Sequence, residues 1–213
     1  MEILKTGALS PSAFRRIDES DDERFYDFPR RTVHIDNGAI ATIGEIYASR
    51  IPAGGKILDL MSSWRSHFID TARPGRLVGL GLNRPEMEDN PALDEVIVHN
   101  VNRDFRLPFD DDAFDGAVLT VSVQYLTSPI DTFRDVGRIL KPGAPFIVTF
   151  SNRMFPTKAV AIWMGSSEAE RVALVQRYFM DSGAFEGIEV IEKNSDGDSD
   201  PVYAVIGTRK SGE

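Results

Sequence analysis

The sequence contains no cysteine, which excludes disulfide bonds, thiolate metal ligands and cysteine nucleophiles. Basic residues are also in deficit, since 24 Lys and Arg stand against 33 Asp and Glu and give a net charge of −9. Nucleic acids and anionic membranes attract basic surfaces, so neither is expected as a partner. No apolar run approaches the roughly 20 residues of a membrane span, and the N-terminal residues lack a signal-peptide pattern. These absences predict a cytoplasmic protein.

Two acidic clusters stand out, and neither predicts a metal site. Residues 18–23 carry five carboxylates in six positions, which is typical of a solvated, mobile stretch. Residues 110–112 are three consecutive aspartates between apolar segments, which indicates a solvated turn. We therefore expect no metal in this protein.

The length of 213 residues fits one domain that buries a core without disulfide or metal support. Residues 1–50 predict an N-terminal helical arm or lid, in which residues 36–50 form the one firm helix because apolar side chains recur there at helical spacing. Residues 51–213 predict an α/β core within the same domain.

Apolar runs of five to seven residues alternate with helical segments through the core. The runs are near-continuous rather than alternating, as in parallel strands that are buried on both faces. Helices are predicted over 129–140, with Ser128 as its cap, and over 167–181. Two last strands, 187–192 and 201–208, are joined by a polar hairpin loop at 194–198 and should be antiparallel. The five earlier strands are predicted at 56–60, 76–80, 95–99, 114–120 and 145–150. The pattern predicts a doubly wound α/β sheet of seven strands, mostly parallel with an antiparallel last strand.

Five short motifs in this order carry a family resemblance. The first strand ends in Leu58-Asp59-Leu60, and the second is Leu77-Val78-Gly79-Leu80. Leu107-Pro108-Phe109 and Phe114-Asp115 follow, and Leu140-Lys141-Pro142-Gly143 precedes the fifth strand. The chain resembles class I S-adenosylmethionine-dependent methyltransferases, in particular the methyltransferase type 11-like group. This resemblance implies a Rossmann-like sheet, S-adenosylmethionine as cofactor and a small-molecule acceptor.

The resemblance also implies where the cofactor lies. In the family, the loop after the first strand wraps the methionine half, the end of the second strand holds the ribose, residues after the third hold adenine, and the end of the fourth borders the methyl group. Carried over to this sequence, the cofactor-binding residues are Asp59, Leu60, Met61, Ser62, Ser63, Gly81, Leu82, Asn83, Asn100, Val101, Asn102 and Thr120.

The cofactor loop departs from the family pattern. Met61, Ser63 and Arg65 occupy the three positions where the family has glycine, which is used there for positive φ and close backbone approach. Arg65 could pair with the methionine carboxylate; alternatively, Trp64 and Arg65 open a helix that packs on the sheet.

The ribose position departs as well. Gly81 stands where a carboxylate is expected, which leaves Asn83 or Glu86 to reach the ribose.

Residues for the acceptor chemistry are less well marked, because methyl transfer depends mainly on positioning. His34, two residues before Asp36, is a candidate base; alternatively, it packs outside a helix that Asp36 caps. Tyr125 and Asn152 follow the fourth and fifth strands and are candidates for the rim, or else a core residue and a turn residue.

Two functions remain open on this basis. One is a methyltransferase acting on a small molecule, and the other is a binding or regulatory protein that keeps the fold without transfer activity. The first is the leading hypothesis, and the altered loop and the missing ribose carboxylate support the second. The sequence indicates neither the acceptor nor the oligomeric state.

Overall fold

A computed structural model describes residues 9–69, 73–193 and 199–211. Its seven strands form one sheet in the order β3-β2-β1-β4-β5-β7-β6. The strands are β1 Lys56–Leu60, β2 Arg76–Gly81, β3 Glu95–Val98, β4 Gly116–Thr120, β5 Pro145–Phe150, β6 Phe185–Lys193 and β7 Val202–Arg209. The helices are α1 Asp22–Phe25, α2 Asn37–Arg50, α3 Arg84–Glu88, α4 Pro129–Ile139, α5 Ala161–Met164 and α6 Glu168–Ser182, with 3-10 turns at Pro11–Phe14 and Val123–Tyr125.

The predicted fold class is confirmed. The first five strands are mutually parallel, and β7 lies antiparallel between β5 and β6. The predicted hairpin loop at 194–198 lies outside the described residues. The strand order reverses between β1 and β4, and in open α/β sheets ligands bind in the crevice at the carboxyl ends of such strands.

Each face of the sheet carries its own core. On one face, Phe133 of α4 and Phe179 of α6 pack against Phe146 of β5, with ring centroids 4.8 to 5.4 Å apart. On the other, Ile43 and Tyr47 of α2 are fully buried among strand side chains. Apolar strands covered on both faces are what the continuous apolar runs predict.

Side chains cap α2 and α6 but not α4; the cap of α2 is the alternative given above for Asp36, and the capping box of α6 was not predicted. The Asp36 carboxylate accepts from the amide of Ala39 at 2.8 Å and caps α2. Ser167 and Glu170 form a reciprocal capping box at α6. The Ser128 side chain makes no cap at α4, contrary to the prediction; with φ at −130° and ψ at 60°, Ser128 lies outside the extended conformation that a capping residue usually takes.

The segment after β1 does not form the helix that was one of the two alternatives given above. Residues 61–69 are irregular, so Trp64 and Arg65 do not open a helix there. The hydroxyls of Ser62 and Ser66, which could cap a helix, donate to Asp59 instead. The cofactor loop is therefore held by side-chain hydrogen bonds rather than by a helical ladder.

The acidic run 18–23 is only partly the solvated stretch that the sequence predicts, since Glu19, Asp21 and Glu23 are exposed but Asp22 is buried. Asp22 is 5% exposed and pairs with both Arg16, at 2.7 Å, and the buried Lys158, at 3.3 Å. Asp18 also pairs with Lys158 at 3.2 Å. Buried cations need anionic partners, so the Asp18 and Asp22 side chains anchor the arm to the core.

Among the described helices, none has both the length and the apolar character that a membrane crossing demands.

Candidate functional site

A cavity of about 150 Å³ lies at the carboxyl ends of β1, β2 and β4, beneath the N-terminal arm. It brings together most of the residues that the sequence nominates. Those that line it are His34, Asp59, Met61, Ser62, Ser63, Gly81, Leu82, Asn83, Asn100, Val101, Asn102, Thr120 and Tyr125. Leu60 is buried and does not line it, and Asn152 is exposed after β5, outside the lining.

Asp59 is a buried carboxylate at the end of β1. Its Oδ2 accepts from the hydroxyls of Ser62, at 2.8 Å, and Ser66, at 2.6 Å. Burial raises the pKa of Asp59 to about 6, and the two hydroxyl donors oppose this rise. Near neutral pH the cavity therefore holds a poorly solvated negative charge, which favours a cationic ligand group.

Met61 takes the left-handed conformation that the family supplies with glycine. Its φ is +55°, which costs a non-glycine residue about 1–2 kcal/mol. Its side chain packs against the larger core. The loop thus keeps a turn of the glycine type at the first family position although its sequence does not contain glycine.

The missing carboxylate of the ribose position has a steric cause. A Cβ built on Gly81 would lie 2.2 Å from the carbonyl oxygen of Ser62, because the loop backbone rests on the end of β2. The amide of Ser62 donates to the Leu80 carbonyl at 2.8 Å and fixes this approach. No side chain fits at position 81.

Glu86 supplies a carboxylate five residues later, at the start of α3. It is 4% exposed and lines the cavity. Its two oxygens accept from the Ser63 hydroxyl at 2.6 Å and from the Arg30 amide at 2.5 Å. Asn83 accepts from the Glu86 amide at 2.9 Å, so the two residues named for the ribose also form a cap of the Asn-x-x-Glu type at the start of α3.

Asn90 holds the other side of the cofactor loop, and nothing in the sequence marked it. Its Nδ2 donates to the Ser63 carbonyl at 2.9 Å and to the Ser66 hydroxyl at 3.0 Å. Glu86 and Asn90 lie in the connection from β2 to β3, so this connection positions the loop.

The residues after β3 are held by neighbours. Asn102 donates to Asp22 and to the Tyr125 carbonyl, each at 2.9 Å, and accepts from the Thr127 amide. Asn100 accepts from the Asn102 amide at 3.1 Å, which is a turn contact. Asn102 therefore connects the arm, β3 and the segment after β4.

The end of β4 is conformationally strained. Val121 has a φ of +48°, a rare conformation for a β-branched residue. Thr120 shares a hydrogen bond of 2.6 Å with the buried Tyr47 hydroxyl. Such outliers cluster at ligand sites, and Val121 lines the cavity.

Tyr125 and His34 meet at Phe155. The Tyr125 hydroxyl accepts from the Phe155 amide at 2.8 Å, and burial raises the pKa of Tyr125. The exposed His34 ring packs edge-on against Phe155 at 4.7 Å. Partial desolvation lowers the pKa of His34, which the charge of Glu86 opposes, so the ring is neutral near pH 7. Asp36, two residues after His34, caps α2 and accepts a hydrogen bond from the Ser199 hydroxyl.

The other two histidines differ in their surroundings. His67 lines the cavity, and its Nδ1 is buried without a hydrogen-bond partner among the described residues. Desolvation, with the charge of Arg65, lowers the pKa of His67 to about 4. His99 contacts the Asp104 carbonyl at 2.7 Å.

The arm covers the cavity between two fixed points. One is the buried ion cluster of Asp22, and the other is Asp36, which accepts from the Ser199 hydroxyl and the Asp200 amide. Between them, the Tyr26 carbonyl accepts from Asn83 at 2.6 Å and the Arg30 amide donates to Glu86. The arm thus forms hydrogen bonds with Asn83 and Glu86, which follow β2.

Comparisons with known proteins agree with this geometry. The sequence profile of a methyltransferase domain matches residues 72–148. No curated protein sequence matches the chain.

Solved structures share the fold. A chain of the complex between the Haloferax volcanii Trm112 methyltransferase activator and a methyltransferase is 18% identical with a TM-score of 0.58, over 82% of this chain and 90% of that one. An S-adenosylmethionine-dependent methyltransferase from Aquifex aeolicus is 14% identical with a TM-score of 0.55, over 95% and 100%. The [4+2]-cyclase SpnF is also 14% identical, with a TM-score of 0.55 over 81% of each chain. The methyltransferase-domain match over residues 72–148 and the shared fold thus make the chain similar to class I S-adenosylmethionine-dependent methyltransferases.

Proposed function

We propose that this protein is an S-adenosylmethionine-dependent methyltransferase that acts on a small-molecule acceptor. The observation that carries the proposal is the pair of buried carboxylates, Asp59 and Glu86, on either side of a loop that turns through the left-handed Met61. They lie at the strand-order reversal, where α/β sheets bind ligands.

The chemistry of this donor set fits the cofactor. Asp59 is a buried anion suited to the ammonium of the methionine half, and Arg65 at the loop is suited to its carboxylate. Glu86 presents two acceptor oxygens for the ribose hydroxyls, in place of the carboxylate that Gly81 cannot carry. Asn100, Val101 and Asn102 are assigned to the adenine.

Bound at these residues, the cofactor supplies a sulfonium methyl group for in-line displacement by an acceptor atom. The chain contributes position: Thr120 and the strained Val121 border the transfer point, and Tyr125 and His34 border the acceptor. His34 is neutral near pH 7, as a base must be to accept a proton. Asn152 is exposed after β5, and we assign it to the outer rim of the site.

The arm acts as a lid in this proposal. The span between Tyr26 and Ile35 covers the groups that the cofactor would use, so in this proposal it moves outward when the cofactor enters. This motion frees Glu86 and Asn83 from the arm.

A binding or regulatory role without transfer is the second candidate. It is favoured by the same arm contacts, because Asn83, Glu86 and Asn102 already have partners. A cyclase among proteins of this fold illustrates that the fold serves other functions.

Calorimetric titration of the purified protein with S-adenosylmethionine and S-adenosylhomocysteine tests the proposal. We expect micromolar binding, about −8 kcal/mol, that Ser63→Trp weakens because the larger side chain fills the loop. An absence of heat and of thermal shift at millimolar ligand would contradict the methyltransferase and leave the binding role.

Glu86→Gln is expected to weaken binding of S-adenosylhomocysteine about tenfold, because an amide offers one acceptor oxygen where the carboxylate offers two. Calorimetry measures the effect, and circular dichroism checks the fold. Glu88→Gln, exposed on the same helix, is the matched control and should bind like the wild type. Equal affinities for the two variants would remove Glu86 from the ribose site.

A further inference from the structure

The part of the cavity nearest the arm's anchor differs in chemistry from the cofactor end. We call it the acceptor end and define it by Arg16, Asp22, Tyr125, Phe155 and Lys158, all of which line the cavity. Its character is aromatic and charged, because the buried cations Arg16 and Lys158 lie there beside the carboxylate of Asp22.

Arg16 has one donor that the protein does not use. The Arg16 side chain is 7% exposed, and its Nη1 donates to both oxygens of Asp22, at 2.7 and 2.9 Å. Its Nε is buried and has no hydrogen-bond partner among the described residues. A buried donor without an acceptor is costly, and a ligand oxygen is one way to satisfy it.

Tyr125 offers a second donor at the same end. Its hydroxyl oxygen accepts from the Phe155 amide at 2.8 Å, and that contact does not use the hydroxyl hydrogen. The Tyr125 carbonyl and Asp22 both accept from Asn102, so Tyr125 and the Arg16–Asp22 pair belong to one connected cluster.

Two buried cations lie at this end, and carboxylates accompany both. Lys158 is 1% exposed, with its Nζ 3.3 Å from Asp22, 3.2 Å from Asp18 and 2.7 Å from the Ser20 carbonyl. Asp22 stands between Arg16 and Lys158. Lys158 therefore has its full set of partners, and the group left for a ligand is the Nε of the cationic Arg16, which makes its strongest hydrogen bonds to anions.

The apolar surface beside these donors consists of rings. Tyr26 and Phe155 line the cavity with Tyr125, and the rings of Tyr125 and Phe155 are 6.2 Å apart. Planar ligands pack well against such aromatic faces.

We propose that the acceptor end binds a small aromatic carboxylic acid. Its carboxylate accepts from Arg16 Nε and from the Tyr125 hydroxyl, and its ring packs beside Phe155 and Tyr26. The inference rests on the proposed function, since the acid is the acceptor substrate of the same site.

Benzoate, benzamide and benzylamine are the probes, since they share a ring and differ in charge. Their binding is measured by calorimetry on the full chain, with and without saturating S-adenosylhomocysteine. We expect benzoate to bind at least tenfold more tightly than benzamide, and benzylamine to bind more weakly than either, because a hydrogen bond from the cationic Arg16 is stronger to a carboxylate than to a neutral amide.

Two variants locate the site. Arg16→Gln should remove the preference for benzoate over benzamide, and Tyr125→Phe should reduce it several-fold while keeping the ring. Arg15→Gln is the matched control, because Arg15 is the exposed neighbour outside the cavity lining. Thermal denaturation confirms that each variant is folded.

The outcomes separate the two proposals. Any of three results would overturn the acid site. They are equal binding of benzoate and benzamide, no binding of benzoate at about 10 mM, which is tenfold above a millimolar dissociation constant, and a preference that survives in both variants. If S-adenosylhomocysteine binds in that case, the methyltransferase stands without it. If benzoate binds through Arg16 and S-adenosylhomocysteine does not bind, the proposed function fails and the acid is the ligand of a binding protein.

Discussion

Replacing Asp59 by Asn is expected to raise the free energy of unfolding by about 3 kcal/mol at pH 7. The pKa of Asp59 rises from 3.8 to about 6 on folding, because burial penalises the charged form. A shift of about two pKa units corresponds to about 3 kcal/mol between the protonation states. Asn removes the charge and keeps the contacts, since both serine hydroxyls donate to the same oxygen of Asp59.

The effect has a definite pH dependence. A carboxyl group with a raised pKa stabilises the fold fully below its unfolded pKa, and this contribution is lost as pH rises through the folded pKa. The difference between Asp59→Asn and the wild type should therefore be near zero below pH 4, grow between pH 4 and 6, and level off above pH 7.

Urea denaturation at pH 4, 5.5 and 7 measures this difference. Asp110→Asn is the matched control, because Asp110 is exposed in the loop before β4 and should show no such trend. A variant less stable than the wild type at pH 7 would mean that the carboxylate is well stabilised by its surroundings. The gain in stability of Asp59→Asn should coincide with weaker cofactor binding, because a site often keeps a charge that destabilises the fold when its ligand needs that charge.

Gly81→Ala is expected to lower the free energy of unfolding by about 3 kcal/mol, at the upper part of the range for overpacking. The added Cβ would lie 2.2 Å from the Ser62 carbonyl oxygen and 3.0 Å from the sulfur of Met87. The first neighbour is backbone, so the loop has to leave β2 and give up the Ser62–Leu80 hydrogen bond. Affinity for S-adenosylhomocysteine should fall at least tenfold with it.

Thermal and urea denaturation, followed by calorimetry, measure both effects. Gly165→Ala is the control: its added Cβ meets only the Ala161 carbonyl oxygen, at 3.5 Å, and the expected change lies within about 0.5 kcal/mol. If Gly81→Ala were as stable as Gly165→Ala and bound the ligand normally, the close approach of the loop would not constrain the site.

Much of the fold could be predicted because its signals are local. The apolar run of β1 and the cap of α2 by Asp36 depend on neighbouring residues, and both occur where predicted. The alternative of a helix after β1 was wrong, because polar groups of this segment bind elsewhere. The Ser62 hydroxyl donates to Asp59, within β1, and the Ser63 carbonyl accepts from Asn90, 27 residues beyond it. Helical propensity in that segment contains no information about these partners.

The acidic run shows the same limit for charge. As a sequence, residues 18–23 resemble a solvated stretch, because the charges next to them along the chain are mostly alike. Lys158 lies about 140 positions away and is buried against Asp22 and Ser20. The partner decides whether a charge is buried, and only the fold brings this partner near.

By itself, the sequence determined the seven-stranded sheet, the order of its motifs and the edge at which the candidate cavity lies, because each follows from periodicity, caps and the direction of parallel strands. The tertiary structure alone decided that Met61 turns left-handed, that the Ser62 carbonyl excludes a side chain at Gly81, and that Glu86 stands beside the cavity. These depend on how closely separate segments approach one another in space, and contacts of that kind leave no periodic trace along the chain.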